Sequence, residues 1–88
     1  MAGSVSEYRG LGLNGGEYIN DTAVHTGTWF AIQVVVAAII QTQSSNITNL
    51  DNVCQPVAGG ISLVAGTVLY GNFTSIDLTS GAVIAYNI

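Results

Sequence analysis

Eighty-eight residues carrying one Arg, no Lys, five acids and a formal charge of −4 leave almost no ionic surface. Charged side chains make up 7% of the chain, against about 25% in ordinary soluble domains, which points to a protein that touches other protein, either copies of itself or a larger assembly. The same figures exclude the basic stripe that neutralises phosphates, hence nucleic-acid binding, and the Lys and Arg clusters that dock a protein on anionic membrane lipid.

One domain is expected, and at this size it buries only roughly 60–65% of its unfolded surface, so contacts between subunits would add stability. An apolar fraction of 49% and a mean hydropathy of +0.51 lie far from disordered compositions. Val, Ile and Thr number 10, 9 and 8; stiff at χ1, they pack best on pleated surfaces. The composition predicts sheet.

Residues 1–16 hold Gly10, Gly12, Gly15 and Gly16 and read as a flexible Gly/Ser-rich N-terminal arm, with at most a short strand at Val5–Tyr8. Residues 17–88 then form an all-β domain. The opening Met-Ala-Gly-Ser-Val-Ser-Glu has neither a positive n-region nor an apolar h-region, so no secretory signal is expected and synthesis is placed in the host cytoplasm. Gly10-Leu11-Gly12-Leu13-Asn14-Gly15 spells GxGxxG, but that fingerprint needs a strand before it, a helix after it and an acid about 20 residues on. No such context follows, and the motif is read as part of the arm.

A short strand is expected near Glu17–Ile19. From Thr26 to about Ala38 the pattern has period two with apolar residues on both faces, the mark of a strand covered on both sides. A helix over Ala31–Gln41 competes, but Val34-Val35-Val36 and Trp29-Phe30 weigh against it. The charge-free run Gly27–Ile40 is too short for a membrane helix, which needs roughly 20 apolar residues. Gln41–Asn52 reads as strand continuation and then loop. Pro56, Gly59 and Gly60 mark a connection, and Ile61–Val64 and Thr67–Tyr70 flank a turn at Ala65-Gly66. A bulge is expected near Gly71-Asn72. Thr74, Ile76 and Leu78 alternate with polar residues before Ser80-Gly81, which reads as the turn of a hairpin closed by Ala82–Tyr86. The sum is a small single-domain β-barrel or sandwich of about five to seven short strands.

No catalytic, metal-binding or cofactor-binding constellation emerges, and no enzyme is expected. His25 is the sole imidazole and lacks the converging ligands of a zinc site; it reads as a structural histidine, either exposed or hydrogen-bonded. Cys54 is alone, which excludes an internal disulfide, and it is expected to be a small, semi-buried side chain. Glu7, Glu17, Asp21, Asp51 and Asp77 show no catalytic spacing. The acceptor triplets at Asn20, Asn46 and Asn72 mean little without a secretory signal.

Thr28-Trp29-Phe30-Ala31-Ile32-Gln33-Val34, then Asn46-Ile47-Thr48, then Ala65-Gly66-Thr67-Val68-Leu69-Tyr70-Gly71-Asn72-Phe73-Thr74-Ser75-Ile76 and the closing Ser80-Gly81-Ala82-Val83-Ile84-Ala85-Tyr86 resemble small virion proteins of tailed bacteriophages, the head decoration or cement type. The similarity covers residues 26–87. It implies a homotrimer on the outer surface of the head that bridges major capsid protein subunits and stabilises the assembled shell. Trp29, Tyr70, Phe73 and Tyr86 are the aromatic candidates for interface contacts. Val5, Tyr8, Arg9, Leu11 and Leu13 of the arm are the candidates for ordering on a capsid subunit or a neighbouring copy, by adding a strand to an exposed edge. The rivals are a tail or fibre component that offers Trp29 and Tyr70 to a receptor carbohydrate, and a surface-layer or pilus-like subunit.

Overall fold

Stiff, β-branched residues draw most of the chain out into strand. In the computed structural model, which describes residues 15–88, β1 spans Gly16–Ile19, β2 His25–Ser45 and β3 Val68–Asn87. They make one antiparallel sheet in the order β1-β3-β2. Between β2 and β3 lie a 3-10 turn at Leu50–Val53 and a single α-helical turn at Gln55–Ala58, with Pro56 in its first turn. Of the arm expected at residues 1–16, residues 1–14, including the short strand considered at Val5–Tyr8, lie outside the described residues, while Gly16 opens β1 and pairs with Tyr86 instead of belonging to the arm.

The many short strands expected from the sequence are here two very long ones, of 21 and 20 residues, where a typical strand has about 5–6. Ser80-Gly81 does not turn a hairpin: β3 runs straight through it, with Ser80 opposite Ile39 and Ala82 opposite Val36. The alternation breaks there because an irregularity in the ladder bends the strand without ending it. Near Gly71-Asn72 the expected irregularity is present, since the register shifts between Trp29↔Phe73 and Ala31↔Tyr70. The Ala65-Gly66 turn is also present, closed by a Thr67 N–H bond to the Val64 carbonyl at 3.1 Å with Gly66 at φ 94°. Ile61–Val64, however, contributes only an isolated bridge, Ala38↔Leu63.

The two long strands meet twice. Trp29, Ala31, Ile32 and Gln33 pair with Phe73, Tyr70, Leu69 and Val68 on one edge, and with Asn87, Tyr86, Ala85 and Ile84 on the other. Phe73, Ser75 and Ile76 likewise have β2 residues on both edges: Trp29, Thr26 and His25, and then Ser45, Ser44 and Gln43. The β2–β3 ribbon therefore turns back on itself, so that each strand's first half lies between two halves of the other. Beyond that junction the segment 63–67 takes over beside β2: Val34 and Thr67, Gly66 and Val34, and Ala38 and Leu63 in both directions are bonded at 2.8–2.9 Å.

Ile19, Trp29, Ile32, Val34, Ala38, Ile40, Cys54, Phe73, Ile76, Leu78, Val83 and Ala85 form one buried cluster inside this turn. Each of its large side chains contributes on the order of 1.5–3 kcal/mol by leaving water. Coverage of β2 on both faces does not extend to its centre. Val35, Val36 and Ala37 are exposed, because register shifts between Val34 and Ile39 break the alternation where the ribbon bends.

Candidate functional site

Of the aromatic residues expected at an interface, Trp29 and Phe73 are fully buried and pack the core, so they offer no area to an outside partner. Their large apolar volume is worth most inside, where both faces touch protein. Tyr86 is half-buried; its hydroxyl donates to Gln33 Oε1 at 2.8 Å and its ring lies 6.3 Å from that of Phe30. Tyr70 alone of the four is open to solvent, at 70%. A carbohydrate groove shared by Trp29 and Tyr70 is therefore not formed. Val5, Tyr8, Arg9, Leu11 and Leu13 lie outside the described residues.

Among the described residues the structure gathers charge in two places. At the first, His25, the first residue of β2, sits between Glu17 of β1 and Asp21 of the connecting turn. Its Nδ1 contacts Glu17 Oε2 and its Nε2 lies 2.7 Å from Asp21 Oδ1. Asp21 Oδ1 also accepts the Ala23 N–H at 3.1 Å, an Asx-type turn that fixes the carboxylate in place. The two ring nitrogens point to opposite sides, so these groups do not converge on one point, and no metal-holding group is found among the described residues. The hydrogen bond to Asp21 raises the His25 pKa above its ordinary value, against partial desolvation and with help from Glu17. The same bond, then the Ala23 N–H, lowers that of Asp21. Nothing in residue type alone singled out this group; the four-residue steps from Glu17 to Asp21 to His25 were its one trace in the sequence.

The second place lies across β3 from the first, since Ile76, next to Asp77, has His25 on one edge and Gln43 on the other. Asp77 on β3 accepts the Thr42 N–H at 3.0 Å and the Thr42 hydroxyl, while Asp51 accepts from Gln43 Nε2 at 2.8 Å. Gln41, Thr42, Gln43, Asp51, Cys54 and Pro56 line a cleft of about 200 Å³ there. Cys54 is its only thiol, yet it is buried, and burial, then Asp51 and Asp77, push its pKa up. The thiol stays protonated and inert. In the native protein Cys54 is expected to react with a thiol reagent at least about 100-fold more slowly than in urea, limited by opening of the fold; equal rates in a stopped-flow assay would contradict its placement.

An apolar ridge occupies the side of the molecule where Val34–Ala38 runs along the segment 63–67. Val36 and Val64 are 54% and 68% exposed, Val35 and Ile61 somewhat less, and Ala37 and Ala65 are exposed beside them. No charged residue occurs in either segment, and the backbone hydrogen bonds that join them hold the ridge rigid. No helix among the described residues is long and apolar enough to cross a membrane. Comparison with protein-family models, curated proteins and solved structures yields no match.

Proposed function

We propose that this protein is a structural component of a virion: a decoration or cement protein, not an enzyme, that docks on the outer surface of a phage head and bridges neighbouring subunits of the major capsid protein. In this reading it acts as a homotrimer, and its β2–β3 ribbon, paired on both edges at the junction, is a small closed barrel. The observation that carries the proposal is the rigid, charge-free ridge at Val35–Ala37 and Val64–Ala65. Exposed apolar area without charge is the composition of an interface centre, and a chain with so few ionic groups has little else on its surface to compete. A protein that binds only the assembled arrangement stabilises it by mass action, so weak contacts repeated over a shell suffice.

Particles stripped of the protein and then supplied with wild-type or variant chains test this. V36D and V64D each place an acid on the ridge and are expected to weaken head binding by more than about 30-fold, the loss of a hot spot of about 2 kcal/mol. Their melting temperatures should stay near wild type, because exposed substitutions usually change stability by no more than about 0.5 kcal/mol. Full occupancy of heads by V36D/V64D, measured by cryo-electron microscopy, would exclude the ridge as the docking surface. Sedimentation of the free protein at a mass that keeps growing with concentration past three chains would exclude the closed trimer.

A further inference from the structure

The imidazole of His25 touches both segments that precede it in the chain, Glu17 in β1 and Asp21 in the turn. An ionised carboxylate only accepts hydrogen bonds, whereas a neutral imidazole carries one N–H and one lone pair. In the neutral ring, one of the two contacts sets a lone pair against a carboxylate oxygen. Only the imidazolium donates to both acids.

We propose that Glu17, Asp21 and His25 form a proton-dependent clasp on β1, closed while the imidazole is doubly protonated and loosened when it gives up a proton. β1 is the part of the fold such a clasp can move. It has four residues, stands at the edge of the sheet and is laddered only to Val83–Tyr86 of β3. Its one buried side chain is Ile19. Loosening β1 bares the backbone of Val83–Tyr86 as an unpaired edge, able to take a strand from another chain.

Other ionisable groups do not replace the pair. Opposite His25 on β3 stands Ile76, and the neighbouring Asp77 is engaged with Thr42. Among the described residues, Glu17 and Asp21 are the charges that act on the ring. The sign follows from the shifts already given. Stability from the raised His25 is complete below about pH 6.5 and is lost as pH climbs through the raised value. Stability from the lowered Asp21 is complete above about pH 3.9 and is lost as acid passes through the lowered value. Between these limits the clasp is tightest.

Native-state hydrogen exchange on the full chain, read by NMR and corrected for intrinsic rates, tests the proposal. From pH 5.5 to 8.5 the opening equilibrium of the amides at Gly16–Ile19 is expected to rise roughly three- to fivefold, the scale that partly exposed ion pairs support. Core amides such as Ile32 and Leu78 should not follow. In H25Q the pH response of β1 should vanish, and E17Q should reduce it. A wild-type β1 that opens equally at both pH values would overturn the proposal, as would a response that persists in H25Q. The imidazole of the wild-type protein supplies a readout that needs no variant: its NMR titration should have a midpoint above the ordinary histidine value, and a midpoint at or below that value would also overturn it.

Discussion

Replacing Trp29 by Ala is expected to cost about 3–5 kcal/mol of folding stability. A domain of this length has on the order of 4–13 kcal/mol in all, so the variant should be barely folded at 37 °C. The indole is 1% exposed and lies inside the ribbon's turn, at the position where β2 pairs with Phe73 on one edge and Asn87 on the other. Its removal leaves a void that two strand pairings would have to collapse to fill, and the ladders on both sides resist that collapse. The urea midpoint should fall by more than about 1 M, given a slope of about 1–3 kcal/mol per M, and the melting temperature by at least about 12 °C. As the only Trp in the chain, it should also give blue-shifted fluorescence shielded from acrylamide. A variant that keeps wild-type stability but no longer associates would return Trp29 to an interface.

That contrast shows where sequence and structure part. The all-β class was legible, because β-branched composition and period-two alternation act locally and the strand is their common answer. The short strand at Glu17–Ile19, the strand through Trp29 and Val34, the Ala65-Gly66 turn and the irregularity at Gly71-Asn72 were all read from neighbouring residues. Strand length was not. Whether a Ser-Gly step turns a hairpin or bends a continuous strand depends on which residues lie across from it, and those are some forty positions away, as Ser80 is from Ile39. The aromatic residues divided for the same reason: Trp29, Phe73 and Tyr70 look alike in one dimension, and only the double register of the ribbon decides which face inward. The ridge at Val35–Ala37 was hidden inside a run that read as covered on both sides, since a bulge that shifts the alternation is invisible in an uninterrupted apolar sequence. The Glu17–Asp21–His25 group was missed because its members become neighbours only when β1, the turn and β2 are folded together.

Gly81→Val is the second substitution expected to approach the limit of what this fold tolerates. Gly81 sits at φ 87°, in the left-handed region, where a side chain costs about 1–3 kcal/mol. Space is the larger obstacle. A Cβ at this position would stand 2.3 Å from the Ala37 carbonyl oxygen and 2.5 Å from the Ala38 Cα, and both are backbone atoms that cannot swing aside. Moving them pulls on Ala38, whose N–H and carbonyl are bonded to Leu63 at 2.9 and 2.8 Å, and so disturbs the joint that holds segment 63–67 against β2. Overpacking of this kind adds about 1–3 kcal/mol, for a total near 4 kcal/mol. Gly66→Ala isolates the backbone contribution, since Gly66 also has positive φ, at 94°, but a Cβ there meets nothing within 4 Å. Its expected cost is about 1 kcal/mol. Urea unfolding of the two variants side by side decides whether β3 is pressed onto β2 at Ser80-Gly81 as one continuous bent strand. Equal, small losses would mean that Gly81 has room around it, as it would at the tip of an open hairpin, and the ribbon would have to be redrawn with a turn at that point.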